Sequence, residues 1–259
     1  MWRSTIGLMV SSSRPYIRKK IRQPDLQSRF LDAENQLSII IPTLNETRTI
    51  TTTLISLQNL RLSGHEIILV DGGSTDDTLS LAEGLVDQII STKSGRAKQM
   101  NAGARHAWGD TLLFLHADTL LPDDGIVRIS NALIKRKWGR FNIRLSGRHP
   151  LFRIIERMIN WRSCISGIAT GDQAIFLSKA LFMELGGYAD IPLMEDIEFS
   201  KRLKAYGRPA CIHSPVITSS RRWETKGIIK TVIQMWRLRW AFYRGVSAEQ
   251  LAQEYYPQR

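Results

Sequence analysis

Residues 37–46 read LSIIIPTLNE and residues 66–78 read EIILVDGGSTDDT. Each stretch opens on a short aliphatic run rich in β-branched residues and breaks abruptly into polar loop residues, the pattern of a strand buried on both faces. The figure repeats: Leu37 to Ile41, Glu66 to Val70, Gln88 to Ser91 and Thr111 to Leu115 read as strands, with helical stretches over 46–59, 76–86 and 96–107 between them. Strands alternating with helices require right-handed crossovers, so the expected architecture is α/β: a Rossmann-like, mainly parallel sheet sandwiched by helices. In such sheets ligands bind beyond the carboxyl ends of the strands.

Those ends carry the chemistry-capable residues. Pro42-Thr43-Leu44-Asn45-Glu46 follows the first strand, Asp71-Gly72-Gly73-Ser74-Thr75-Asp76 the second, and His116-Ala117-Asp118 the fourth. Some have plain structural uses, since Asn45, Thr75 and Asp76 suit helix N-caps and Gly72-Gly73 suits a turn. Asp76, one turn before an apolar helical run, is expected to cap it. Asp71 ends an apolar strand and is expected to face a ligand.

Composition bounds the rest. With 43% hydrophobic residues the 259-residue chain can build a core, which excludes wholesale disorder. Its net charge of +12 invites a nucleic-acid reading, but the charge is localised: residues 1–36 carry +4, 135–162 carry +8 and 221–245 carry +6, which leaves the remaining body at −6. No nucleic-acid groove is expected from that division. Cys164 and Cys211, far apart and without CxxC spacing, are expected as buried free thiols of a reducing compartment. No apolar run reaches the roughly 18 residues that span a bilayer. Met1 to Arg22 is basic and free of acid, as organellar transit peptides are, yet its apolar run Ile6 to Val10 is too short for a signal-peptide core; a flexible basic leader over 1–36 is expected.

The glycine-rich loop lacks both GxxxxGK[ST] and GxGxxG, which removes the main support for a kinase or a dinucleotide enzyme. A strand-end carboxylate can still hold a base or ribose. His116 and Asp118 offer two ligands two residues apart, and a carboxylate there suits a divalent cation completed by water and substrate phosphates. Glu195-Asp196 opens an amphipathic helix, where acids cap favourably and where a general base could activate a hydroxyl.

Taken in order, LSIIIPTLNE, IILVDGGSTDDT, GRAKQMNAGA, FLHADT, GDQAIF and GGYADIPLMEDIEFSKRL resemble a family 2 glycosyltransferase of the GT-A fold, over roughly residues 37–245. The bacterial subgroup of glycosyltransferase 2-like, diaponeurosporenoate-type proteins is the most similar. The resemblance implies inverting transfer of a sugar, hexosyl transfer above all, from a nucleotide diphosphate donor. By position it implies that Pro42, Leu44 and Glu46 line the nucleoside pocket, with Asp71 and the neighbouring Gly72 at the base or ribose. Arg96, Gln99 and Asn101 would lie near the nucleotide and its phosphates. Asp118 would be the last residue of a DxD metal motif, Asp196 the catalytic base with Glu195 beside it, Asp172 and Gln173 acceptor-side residues, and Arg222-Trp223 the pair at the pyrophosphate. Two positions depart from the family pattern: Gly72 stands where many members have a second Asp, and His116 replaces the first DxD acid. A neutral imidazole there favours Mn²⁺ over Mg²⁺. A glycosidase, which needs two carboxylates astride the bond, is disfavoured by the nucleotide-type loops.

The resemblance divides the chain into a leader over 1–36, a GT-A domain over 37–220 and a helical extension over 221–259. Within the extension Ile229, Val232, Ile233, Trp236, Trp240 and Tyr243 fall on one helical face, bordered by Lys226, Lys230, Arg237, Arg239 and Arg244. Such a face either packs on the catalytic body, the commoner fate, or enters a membrane interface while its basic residues reach the headgroups. Leu151, Ile154, Ile155, Met158 and Trp161 make a second such segment among Arg148, Arg153, Arg157 and Arg162. Together they suggest a cytoplasmic enzyme, peripheral at the inner face of the plasma membrane, with a hydrophobic or lipid-linked acceptor. The competing class is a non-catalytic membrane or nucleic-acid binding module on a degenerate transferase fold; the retained trio Asp71, Asp118 and Asp196 argues for the enzyme.

Overall fold

The computed structural model describes residues 36–256. The expected basic leader, save Gln36, lies outside the described residues. Among the described residues eight strands form one sheet: β1 (Leu37–Thr43), β2 (Glu66–Asp71), β3 (Gln88–Ser91), β4 (Thr111–Phe114), β5 (Thr119–Leu120), β6 (Trp138–Leu145), β7 (Phe176–Ser178) and β8 (Ala210–Thr218), in the order β3-β2-β1-β4-β7-β6-β8-β5. The four strands read from sequence run parallel; β7 is antiparallel to β4 and to β6, β8 is parallel to β6, and β5 is antiparallel to β8. The sheet is therefore mixed and mostly parallel. The register sets Thr43 beside Asp71, so the loops after β1 and β2 leave the same edge.

The alternation of β1 decides the layers. Ile39 and Ile41 face one side with Ile67, Leu69 and Leu113, covered by α1 (Ile50–Ser56), α3 (Thr78–Ala82) and α5 (Gly125–Lys135). Ile40 faces the other with Ile68, Val70 and Phe114, covered by α4 (Arg96–His106), α7 (Lys179–Glu184) and α8 (Glu195–Leu203). Each fully buried side chain of this kind contributes about 1.5–3 kcal/mol. The remaining helices are α2 (Gln58–Leu62), α6 (Pro150–Ser166), α9 (Arg221–Lys226), α10 (Ile228–Tyr243) and α11 (Ala248–Tyr255).

Gly103 lets α4 lie close on the sheet, because a Cβ there would stand 2.5 Å from Ile40 Cγ2 and 3.0 Å from Val70 Cγ2. Overpacking so tight a contact is costly. Gly103→Val is expected to destabilise the chain by about 1–3 kcal/mol or more in urea unfolding; an unchanged midpoint would contradict this packing.

Several sequence expectations change. The helix expected over 46–59 starts at Ile50 and is interrupted at Leu57, and that over 76–86 shortens to Thr78–Ala82, ahead of a left-handed Gly84. Asp76 is not the N-cap of α3 as expected; Asp77 holds that position, and Asp76, one residue earlier, accepts the N–H and hydroxyl of Thr78 and the N–H of Thr47. Asn45 caps no helix: at φ +56° it bridges the loops, its backbone N–H donating to the Ser74 hydroxyl and its side-chain Oδ1 accepting from the Thr75 N–H. The two cysteines are not free thiols. Cys164 near the end of α6 and Cys211 in β8 form a disulfide with Cα atoms 6.0 Å apart, because the helix lies along the sheet where β8 begins. Such a pairing across 47 residues leaves no trace in local spacing.

The row on α10 is also exposed where packing was the commoner expectation. Ile229, Ile233, Trp236, Trp240 and Tyr243 are open to solvent, Trp240 at 63%. The helix packs instead through Thr231 and Leu238, with Val232, Met235 and Phe242 beside them.

Candidate active site

Two adjoining clefts open at the carboxyl edge of the sheet. The first, about 220 Å³, is lined by Pro42, Leu44 and Glu46 after β1, by Arg96 and Gln99 of α4, by His116 and Asp118 after β4, and by Arg222 and Tyr256 from the C-terminal helices. The second, about 170 Å³, shares Arg96, His116, Asp118 and Arg222 and continues past Asp172, Glu195, Asp196, Trp223 and Arg239. The four shared residues form the junction. Three non-glycine residues take the left-handed region among the described residues, Asn45, Ala174 and Met194, and all adjoin these loops; such strain concentrates at functional sites.

Asp196 is held from two directions. The Gly171 N–H donates to its Oδ2 at 2.8 Å and the Ile197 N–H to its Oδ1 at 2.7 Å. Burial raises its pKa in spite of those bonds and of the nearby Arg239. Glu195 is pushed up to about 7, first by burial and then by the Asp196 charge, with Arg96 opposing. Burial works against the charge of Arg96, but Tyr256, Glu195, Asp196 and Asp118 together hold its pKa above the ordinary value. At the junction, then, a fixed cation stands among three acids.

His116 is driven down to about 3 by burial and by Arg96, so its ring is neutral. A Cβ on Gly171 would lie 2.7 Å from its Nε2, so this glycine makes room for the imidazole. Asp118 is raised by burial and by Glu46, against Arg221 and Arg96. Among the described residues no three His, Cys, Asp or Glu side chains cluster to hold a metal unaided. One carboxylate and one neutral imidazole do fit a divalent cation that takes its other ligands from a diphosphate and water.

Several of the residues singled out in the sequence make hydrogen bonds or apolar contacts within the fold. Asp71 is buried, and its carboxylate accepts the Gly73 and Ser74 N–H groups and the Ser74 hydroxyl. Asp71 and Gly72 line neither cleft. A Cβ on Gly72 would stand 3.1 Å from the Gln99 amide, which fills that space and donates to the carbonyls of Thr43 and Val70. Asn101 does not line the first cleft: its amide pairs both ways with the Tyr188 backbone, fixing the turn before α8. Gln173, expected on the acceptor side, points inward to Ser163 and Thr170, and only Asp172 of that pair lines a cleft. Trp223 packs with Leu145 and Phe152, while Arg222 donates to the Tyr255 hydroxyl and lies 3.9 Å from that ring's centroid.

Sequence reasoning missed Thr170, Met194, Tyr255 and Tyr256 and gave Arg239 no place in the site. The tyrosines arrive from α11, which docks on Leu193, Met194 and Leu238. The docked face, Leu251 and Tyr255 one turn apart, was the available signal.

Comparison with known proteins agrees with this fold. The glycosyl transferase family 2 model matches residues 38–177. A PGL/p-HBAD biosynthesis glycosyltransferase of Mycobacterium bovis (strain BCG / Pasteur 1173P2) is 29% identical over 222 residues, 78% of this chain and 82% of the relative. Among solved structures, a mannosyltransferase from Pyrobaculum calidifontis in complex with GDP-Man and Mn²⁺ superposes with a TM-score of 0.58 at 21% identity, covering 80% of this chain and 61% of that one. Glucosyl-3-phosphoglycerate synthase from Mycobacterium tuberculosis, in complex with Mn²⁺, UDP and its product, superposes at 0.55 and 18% identity, covering 74% and 72%. Against TarS of S. aureus (residues 1–349) the match spans 60% of that chain's length. With more than half of its length matched by the family model and a sheet that superposes on GT-A structures, the chain belongs to glycosyl transferase family 2 and is a glycosyltransferase.

Proposed function

We propose that the chain transfers a sugar, with inversion, from a nucleotide diphosphate donor in the first cleft to an acceptor hydroxyl in the second. The observation that carries this reading is the junction: Arg96 and Arg222 line both clefts, and Asp196 lies on the acceptor side with its carboxylate oriented by two backbone N–H groups. Pro42, Leu44 and Glu46 border the nucleoside end, where Arg221 pairs with Glu46 at 3.3 Å. Negative charge grows on the diphosphate as the sugar leaves, and Arg96 and Arg222 are placed to stabilise it. His116 and Asp118 would hold a divalent cation, which supplies further charge neutralisation when bound. Asp196 takes the acceptor proton as the new bond forms. The relatives in complex with GDP-Man, UDP and Mn²⁺ support a nucleotide-sugar donor and a cation here. A hydrolysis screen of UDP-, GDP- and dTDP-sugars with Mn²⁺ and Mg²⁺ tests the reading without an acceptor. Turnover of at least one donor is expected; no turnover and no nucleotide binding by calorimetry would point to the non-catalytic module.

The pH profile follows from the acids. Because the folded site raises Asp196 above its ordinary value and Glu195 to about 7, the base is protonated and inactive at low pH, and transfer is expected to rise with pH as the pair ionises. Glu195→Gln removes the neighbouring charge and should move that rise to lower pH. A rate–pH profile from 5 to 9 that is flat in both proteins would contradict the assignment.

The acceptor is hydrophobic or lipid-linked, met at an anionic membrane surface. The support is the exposed row on α10, Trp236 and Trp240 at its centre, and a second on α6 with Ile154, Met158 and Trp161. The two helices share an apolar cluster around Phe152 and Trp223, and Met235, Leu238 and Arg239 of α10 wall the acceptor cleft. Among the described residues no helix is long and apolar enough to cross a membrane. Sedimentation with anionic liposomes at low salt is expected, and the double change Trp236→Ser, Trp240→Ser should weaken it roughly tenfold or more. Equal sedimentation of the two proteins would remove this surface from the account.

A further inference from the structure

The acceptor cleft holds more positive charge than a departing diphosphate uses. Arg96 and Arg222 serve the donor side, but Arg239 of α10 lines only the acceptor-side cleft. Arg162 of α6 does not itself line either cleft, but it stands behind the second one, close enough to feel the charges of Arg239, Asp172 and Asp196. Neither Arg162 nor Arg239 takes part in a salt bridge among the described residues. Arg162 buries Nε and Nη2 without a hydrogen-bond partner, and Asp172 buries Oδ1 without one.

Buried guanidinium nitrogens are rarely left unpaired, and two on one side chain call for an explanation, an absent ion or water among them. Asp172 is not their partner, since its own oxygen is equally unserved. Burial, then the like charge of Arg239, pulls Arg162 down to about 10, and an anion between the two arginines would relieve both effects. The fixed fork of N–H donors on a guanidinium matches the oxygens of a phosphate. Arg239 also belongs to the helix whose outer face carries Trp236 and Trp240, so an oxyanion held here would sit close to the exposed apolar row.

We propose that Arg162 and Arg239 bind a phosphate-class oxyanion carried by the acceptor, which sets the acceptor hydroxyl at Asp196, while Asp172 accepts a hydrogen bond from a neighbouring hydroxyl. This rests on reading the second cleft as the acceptor side. The phosphate could belong to a lipid headgroup or to a soluble ester.

Calorimetric titration of the full chain with glycerol 3-phosphate, with dihexanoyl phosphatidic acid below its micellar concentration, and with glycerol as the uncharged control tests the proposal. At least one phosphate probe is expected to bind, glycerol is not, and Arg162→Met and Arg239→Gln should each weaken that binding roughly tenfold or more. Binding of the lipid probe alone assigns the phosphate to a headgroup, and binding of the soluble ester alone assigns it to a free metabolite. Failure of both probes to bind, or equal affinity in the variants, overturns the proposal. Because Arg162→Met removes unpaired donors and keeps the stem, its thermal midpoint should stay level or rise, which separates lost binding from lost fold. Each titration is run with and without nucleotide diphosphate and Mn²⁺. A failure of the nucleotide to bind then counts against the donor reading, separately from the phosphate result.

Discussion

Asp196→Asn is expected to lower sugar transfer by roughly 10²–10⁴-fold, the range that a positioned general base supplies. Nucleotide binding should persist, because Asp196 lines the second cleft, proposed for the acceptor, and not the first. The substitution is nearly isosteric but not silent. Both carboxylate oxygens accept backbone N–H groups, from Gly171 and Ile197, and an amide can accept only one of them. One N–H would lose its partner, at a cost of about 1–3 kcal/mol in stability. That cost is read separately by thermal unfolding. Transfer at the unaltered rate in a folded Asp196→Asn protein would remove the residue from the mechanism.

Asp118→Asn is expected to act on the other side of the junction. Asp118 is the only carboxylate of the His116-Ala117-Asp118 turn, and no cluster of three ligating side chains among the described residues stands ready to replace it. Its loss should reduce cation-supported donor turnover by roughly 10²–10³-fold, the scale of losing one electrostatic contact to a charge that develops in the transition state. Nucleotide affinity in Mn²⁺ should fall with it, while affinity in the absence of any divalent cation changes little. An Asp118→Asn protein that keeps its Mn²⁺ response would assign the cation to other residues.

The strands and their polar ends were legible because buried parallel strands are written as continuous aliphatic runs, and such runs point to one edge of a sheet. His116 and Asp118 were found that way, and Glu195 and Asp196 as acids opening an amphipathic helix; the structure brings all four to the second cleft. The second half of the sheet was not legible: β5 to β8 are short or irregular, and β8 carries a register shift against β6 at Phe141/Asn142. Direction was the other blind spot. Asp71, Asn101 and Gln173 occupy motif positions, yet their side chains spend their hydrogen bonds on Ser74, Tyr188 and Ser163. A sequence position names a side chain without saying which way it turns. The tyrosines of α11 and the disulfide depend on chain segments that meet only after folding.

The central claim is a division of labour across the junction, with the donor held by Asp118, Arg96 and Arg222 and the proton taken by Asp196. Calorimetric titration of nucleoside diphosphate in Mn²⁺ into the unaltered chain, Asp118→Asn and Asp196→Asn tests it most directly. Asp196→Asn is expected to bind within about twofold of the unaltered chain while Asp118→Asn loses roughly tenfold or more. The reverse order, or an equal loss in both, would contradict it.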